Sequence, residues 1–283
     1  MHTLWKGALM KILISVDMEG ITGVVNWDQV DPGCPEYARF RRIMTREVNA
    51  AVAGAFTGGA SDVVVTDGHW NGLNILVEEL DKRARLNSGL SSPFSMMQGV
   101  EAGDIDGAFF VGYHARAGSQ TAVLAHTWSA NSVANAWLND ILVGEYGLNA
   151  ALAGHFGVPI LMITGDQVAC AQATELLGAL ETVVVKQATG FESAECLPPE
   201  ISQPQIRTAA ERATKMIGSK SITPFTISAP MRVAIEFLLP SQADRAARMP
   251  EVKRVDARRV EFIANSMPEA HAGFRSAVKL SKE

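Results

Sequence analysis

KILISVDMEG, residues 11–20, decides how the rest of the chain is read. It opens as an unbroken apolar run and ends by setting Asp17 and Glu19 two residues apart. Side chains at i and i+2 of an extended segment share one face. Two carboxylates on one face, at the end of a strand that reads as buried, repel each other. The pattern calls for a positive charge between them, and a metal ion is the first candidate.

Moving outward, strand and helix patterns alternate. The spacing predicts strands over 11–16, 62–66, 107–112, 121–125, 141–143, 159–163 and 182–185. It predicts helices over 37–55, 74–80, 146–156 and 167–180. In the first of these helices Phe40, Ile43, Met44, Val48, Ala51 and Ala55 recur at helical intervals, and Gly58-Gly59 ends it. Most strands are apolar throughout, as in a mostly parallel sheet covered by helices on both faces. Beyond residue 190 the pattern changes to a helix over 205–218, strands over 231–238 and 259–263, and helices over 242–248 and 267–279. The expected fold class is therefore α/β, a mostly parallel sheet with helices on both faces plus a smaller C-terminal α/β lobe. The expected division is a metal-binding catalytic domain over 11–190, and a lobe over 191–283 that forms a cleft wall or an oligomer contact.

Composition narrows the partners. Apolar residues make up 47% and charged residues 19%, which fits a folded globular chain. The net charge of −5, with no long basic run, excludes nucleic acid and anionic membrane as expected partners. No run is long and apolar enough to span a bilayer. Residues 1–10 read as a disordered or alternative start rather than a signal peptide, since no small-residue cleavage site follows. Cys34, Cys170 and Cys196 are odd in number and form no CxxC, which points to a reducing, cytoplasmic setting.

In parallel sheets, ligands bind beyond the carboxyl ends of the strands. Polar residues gather there: Asp17, Glu19, Asp67, His69, His114, His126, Asp166 and Lys186. Three of the six histidines fall just past β-runs. Asp17, Glu19, His69, His114 and Glu145 are the candidate metal ligands. Imidazole and carboxylate without thiolate suit Zn²⁺, Mn²⁺, Fe²⁺ or Co²⁺. Five ligands exceed one open zinc site but fit two ions if a carboxylate bridges, and Asp17 is the natural bridge. Asn149, one helical turn past Glu145, and Lys186, beyond a strand end, are candidate substrate contacts.

The segments SVDMEG (15–20), TDGH (66–69), GYHARAG (112–118), AHTW (125–128), VGEYGLNA (143–150) and VVVKQATG (183–190) occur in that order. Together they resemble the D-aminopeptidase family of dinuclear zinc peptidases. The resemblance spans most of residues 11–196. It implies two divalent metal ions, with zinc the leading candidate. It implies Asp17 as the bridging ligand, Glu19 and His69 on one ion, His114 and Glu145 on the other, and His126 as a catalytic residue. It also implies an aminopeptidase that releases the N-terminal residue of short peptides or amino-acid amides of D configuration by a metal-bridging hydroxide. Its members scavenge peptides and assemble as a homo-oligomeric ring, a homodecamer. Two other readings stand beside it: a dinuclear hydrolase of L-dipeptides or another amide, and a non-catalytic peptide-binding protein allied to transport.

Overall fold

The computed structural model describes residues 9–89 and 93–283, so most of the start segment, residues 1–8, lies outside the described residues. The strands and helices, in chain order, are β1 (Lys11–Val16), α1 (Tyr37–Gly58), β2 (Asp62–Asp67), β3 (Ala84–Asn87), β4 (Gly107–Val111), β5 (Val133–Leu138) and β6 (Ile141–Val143). They continue with α2 (Glu145–His155), β7 (Ile160–Asp166), α3 (Gln167–Leu177), β8 (Glu181–Gly190), β9 (Ser193–Cys196) and α4 (Pro199–Lys215). The last are β10 (Met231–Phe237), α5 (Pro240–Ala246), β11 (Lys253–Arg254), β12 (Arg259–Ala264) and α6 (Met267–Leu280).

Seven strands form one sheet in the order β3-β2-β1-β4-β7-β8-β9. Every pairing in it is parallel except β8 with β9. Alternate residues serve opposite faces, as the pleat requires. Ile12, Ile14, Val63, Val65, Phe109 and Val111 pack with α1 and α4. Leu13, Val64, Ala108 and Phe110 pack on the other side, in the core that includes α2, α3 and α6. Such two-sided burial explains why these strands read as continuous apolar runs.

A second, antiparallel sheet has the order β11-β12-β10-β5-β6. Two of its strands, β5 and β6, come from the N-terminal side of residue 190, so the division expected at 190/191 is crossed by both. Some local expectations are corrected. Residues 121–125 form a loop, in which Thr121 and Leu124 take φ of +50° and +47°. Residues 74–80 form turns rather than a helix. β3, β5 and β9 arise where no strand was expected; they are short or only half-buried, and their apolar signal is weak.

The chain leaves β1 for β2 on one side and returns to β4 on the other. Order reversal at β1/β4 opens a crevice at the strand ends, where ligands bind in such sheets. The two exits touch backbone to backbone. Asp17 N–H donates to the Val111 carbonyl at 2.9 Å, and Gly20 N–H to the Gly112 carbonyl at 2.8 Å. A Cβ on Gly20 would lie 2.0 Å from the Tyr113 carbonyl oxygen. Gly112, at φ +73°, would put one 2.3 Å from the Asp17 oxygen. Only glycine fits at either place.

Candidate metal centre

Asp17 and Glu19 follow β1, His69 follows β2, and His114 follows β4. Glu145 arrives differently. It is the first residue of α2, after β6, so it is delivered by the antiparallel sheet. The structure brings all five together. Asp17 spans the group: its Oδ1 is 3.1 Å from His69 Nδ1 and its Oδ2 is 3.4 Å from His114 Nε2. His69 Nδ1 also lies 3.2 Å from Glu19 Oε2. His114 Nε2 is 3.1 Å from Glu145 Oε1. Asp17, Glu19 and His69 form one set of ligand atoms within 4.8 Å of one another, and His114, His126 and Glu145 form a second.

The tautomers follow from backbone partners. His69 Nε2–H donates to the Val30 carbonyl at 2.9 Å, His114 Nδ1–H to the Ala115 carbonyl at 2.9 Å, and His126 Nδ1–H to the Leu124 carbonyl at 2.8 Å. In each ring the other nitrogen is left facing the carboxylates. This is how metal-binding imidazoles are held. Glu19 Oε2 and His114 Nε2 are buried with no aligned hydrogen-bond partner, though charged groups stand close by. One ion in each set would satisfy these atoms. The donor set, imidazole and carboxylate in two adjoining sets, therefore fits two divalent cations.

The electrostatics agree. Burial opposes charge on Asp17, but hydrogen bonds from His114 and His69 outweigh it and hold the carboxyl well below its usual range. Burial likewise opposes charge on His69 and His114, yet the carboxylates of Glu19 and Glu145 respectively, together with Asp17, raise both rings well above the ordinary imidazole value. These nitrogens sit in a strongly cation-attracting field. His126 goes the other way. Burial and the neighbouring His114 lower it, so it stays a neutral imidazole. Its ring stacks on His114 at 3.9 Å and 12°, and its Nε2 is 3.5 Å from Glu145 Oε1.

Two expected substrate contacts are corrected. Lys186 is fully buried, and its ammonium donates to the carbonyls of Glu19, Ile21 and Val24 at 2.5, 3.0 and 2.6 Å. All three N–H groups are used, so it staples the loop that carries Glu19 instead of meeting substrate. Burial lowers its pKa to about 8. Asn149 is buried and donates to Tyr113 Oη at 2.9 Å. Tyr113 Oη in turn meets Ser15 Oγ at 2.6 Å, so the Asn149 amide nitrogen ties α2 to β1 through Tyr113, while its Oδ1 is buried with no hydrogen-bond partner. Asp166 caps α3, accepting from Val168 and Ala169 N–H, and also accepts from Val123 N–H. Asp67 accepts from the backbone N–H groups of Asn74 and Ile75, shaping the loop behind His69.

The centre opens into a cleft of about 760 Å³. Trp27, Trp70, Trp128, Phe191, Asp31 and Lys282 line it with the ligand residues. Sequence reasoning missed these walls. Trp70 and Trp128 adjoin the TDGH and AHTW histidines, a signal that was there to use. Lys282, far away in the chain, carried none.

Comparison with known proteins agrees with this geometry. The family model described as D-aminopeptidase matches residues 10–276. The chain belongs to the D-aminopeptidase family. It is accordingly a metal-dependent aminopeptidase, a hydrolase of peptide bonds. A D-aminopeptidase of Bacillus subtilis (strain 168) is 39% identical over 264 residues, covering 93% of this chain and 94% of that one. A solved structure, described as the Zn-dependent D-aminopeptidase DppA from Bacillus subtilis, a self-compartmentalizing protease, superposes with a TM-score of 0.90 at 36% identity. That match covers 97% of this chain and 98% of the other.

Proposed function

We propose that the protein is a two-zinc aminopeptidase that removes the N-terminal residue, of D configuration, from short peptides and amino-acid amides. One observation carries the reading: three imidazoles, those of His69 and His114 buried and that of His126 partly so, are each tied by one nitrogen to a backbone carbonyl and face the carboxylates of Asp17, Glu19 and Glu145 with the other. In this reading Asp17 is shared, Glu19 and His69 hold one ion, and His114 and Glu145 hold the second. Bound there, the ions supply Lewis acidity to the scissile carbonyl and hydroxide near neutral pH.

The chain's own groups do the rest. His126 is partly buried, its pKa is lowered by burial and by His114, and its Nε2 faces the centre. That nitrogen carries no proton at rest, so it would first take the proton released by the attacking water and then, as imidazolium, steady charge on the scissile oxygen and pass the proton to the departing amine. The D preference and a homo-oligomeric assembly are drawn from the D-aminopeptidase and self-compartmentalizing protease to which the chain is similar, and the cytoplasmic reading from the odd, unpaired cysteines. Among the described residues no helix is long and apolar enough to cross a membrane.

Metal analysis and a substrate panel test the reading together. The purified protein binds two equivalents of zinc, Asp17→Ala loses both, and His126→Ala keeps them but loses turnover. The wild type cleaves D-aminoacyl amides and D-dipeptides and spares the L forms and p-nitrophenyl phosphate. A His126→Ala protein stripped of metal would reassign that ring as a ligand. Phosphatase activity without peptidase activity would overturn the reading altogether.

A further inference from the structure

The cleft has one strong asymmetry of charge. Asp17, Glu19, Asp31 and Glu145 all line it, and Lys282 is the sole Lys or Arg among the described lining residues. Lys282 belongs to the segment after α6, in the C-terminal lobe, yet it reaches the same cavity as the ligands. Its place is built. Ser281 is completely buried, its N–H donates to the Ala277 carbonyl at 3.0 Å, and its Oγ donates to the Val278 carbonyl at 2.7 Å. Arg245 Nε, from α5, donates to the Ser281 carbonyl at 3.0 Å. Lys282 N–H closes on the Lys279 carbonyl at 3.2 Å. The backbone that presents Lys282 is thus pinned from two helices. Its ammonium is exposed and makes no ion pair or hydrogen bond within the described residues.

An unpaired ammonium on a pinned backbone, in a cleft whose other described lining residues offer no Lys or Arg and whose acids Asp17, Glu19 and Glu145 face the metal centre, suits an anion brought by the substrate. An aminopeptidase substrate places its N-terminal residue at the reacting centre. A short peptide's remaining charge is its C-terminal carboxylate, carried away from that centre at about 3.5 Å per extended residue. We infer that Lys282 binds the free C-terminal carboxylate of the peptide substrate, and so sets a preference for short peptides with a free acid end over their carboxamides. Ammonium–carboxylate hydrogen bonds are charge-assisted and are stronger where water is partly excluded. The inference rests on the aminopeptidase reading and deepens it.

The test compares D-alanyl-D-alanine with D-alanyl-D-alaninamide on wild type, Lys282→Ala and Lys282→Arg, each zinc-loaded. In wild type kcat/KM for the free acid exceeds that for the amide. In Lys282→Ala the ratio of acid to amide falls about tenfold, through KM of the acid with kcat held, as expected for loss of a charge-assisted contact at the remote end of a substrate. Lys282→Arg restores most of the ratio. An acid-to-amide ratio equal in wild type and Lys282→Ala overturns the inference while leaving the peptidase reading in place. Failure of the wild type to cleave either compound overturns the peptidase reading, and the carboxylate role falls with it.

Discussion

Replacing Lys186 by Met tests whether the loop bearing Glu19 is held by charge. The substitution keeps a long unbranched side chain and removes the ammonium that bonds the carbonyls of Glu19, Ile21 and Val24. Each hydrogen bond to a charged group contributes about 1.5–3 kcal/mol, so the gross loss is about 4.5–9 kcal/mol. Against this stands the cost of keeping the ammonium buried. Its pKa drops from 10.5 to about 8, and at about 1.4 kcal/mol for each pKa unit the relief on removal is about 3 kcal/mol. Three carbonyls remain buried without this donor, so the loss wins. The net is a destabilisation of about 3 kcal/mol within a range of about 1–6 kcal/mol. At about 2–4 °C per kcal/mol, the metal-free Lys186→Met protein melts roughly 6–12 °C below wild type near pH 7. Thermal unfolding followed by circular dichroism in excess chelator reads this directly. A competition titration with a zinc indicator should also find one of two equivalents weakened, since Glu19 loses its anchored backbone. A melting point equal to or above wild type would refute the reasoning, because the burial cost would then exceed the three bonds.

Other outcomes follow from neighbouring features. Burial pushes the Glu47 carboxyl up from 4.5 to about 7, with hydrogen bonds from Thr22 and then the Lys186 ammonium pulling it partly back. A raised folded pKa means stability present below about 4.5 and lost as pH rises through about 7, amounting to about 3 kcal/mol. Chemical denaturation at about pH 5 and about pH 8 should show Glu47→Gln gaining roughly that amount on wild type at the higher pH; a constant difference between the two proteins contradicts it. Gly20→Ala would press a methyl to 2.0 Å from the Tyr113 oxygen. Backbone cannot yield there without parting β1 from β4, so soluble yield and zinc content should both collapse, with a loss of more than about 3 kcal/mol. A Gly20→Ala protein that is soluble and zinc-replete would show that the two exits can separate.

The parallel sheet and the gathering of much of the candidate centre were legible because both rest on short-range rules. Buried parallel strands leave continuous apolar runs, and β1, β2, β4 and β7 all do. Ligands at strand ends can be found by position, which is how Asp17, Glu19, His69 and His114 stood out. Glu145 was found at an element end too, but the element proved to belong to the other sheet. What stayed hidden depends on long-range contact. Lys186 and Asn149 occupy suggestive positions, and only the packed structure reveals that backbone carbonyls and Tyr113 already claim them. β5 has a mixed burial pattern because it lies between two partners in a sheet completed some hundred residues later. Lys282 could not be linked to the cleft by any spacing rule, since its place is set by Arg245 and the end of α6.

The segment from His126 to Glu145 loops out of one sheet, contributes β5 and β6 to the other, and returns with a metal-site residue at each end. β5 finds its second neighbour only when β10, residues Met231–Phe237, has been made and laid alongside. Half of the metal centre is therefore a late product of synthesis. A nascent or truncated chain can display Asp17, Glu19 and His69 on a finished β1–β2 pair and still hold no complete two-ion site. A chain cut before Met231 would lack the strand that β5 pairs with beside the candidate centre. A peptidase wired like this is a poor agent of damage while it is still being made.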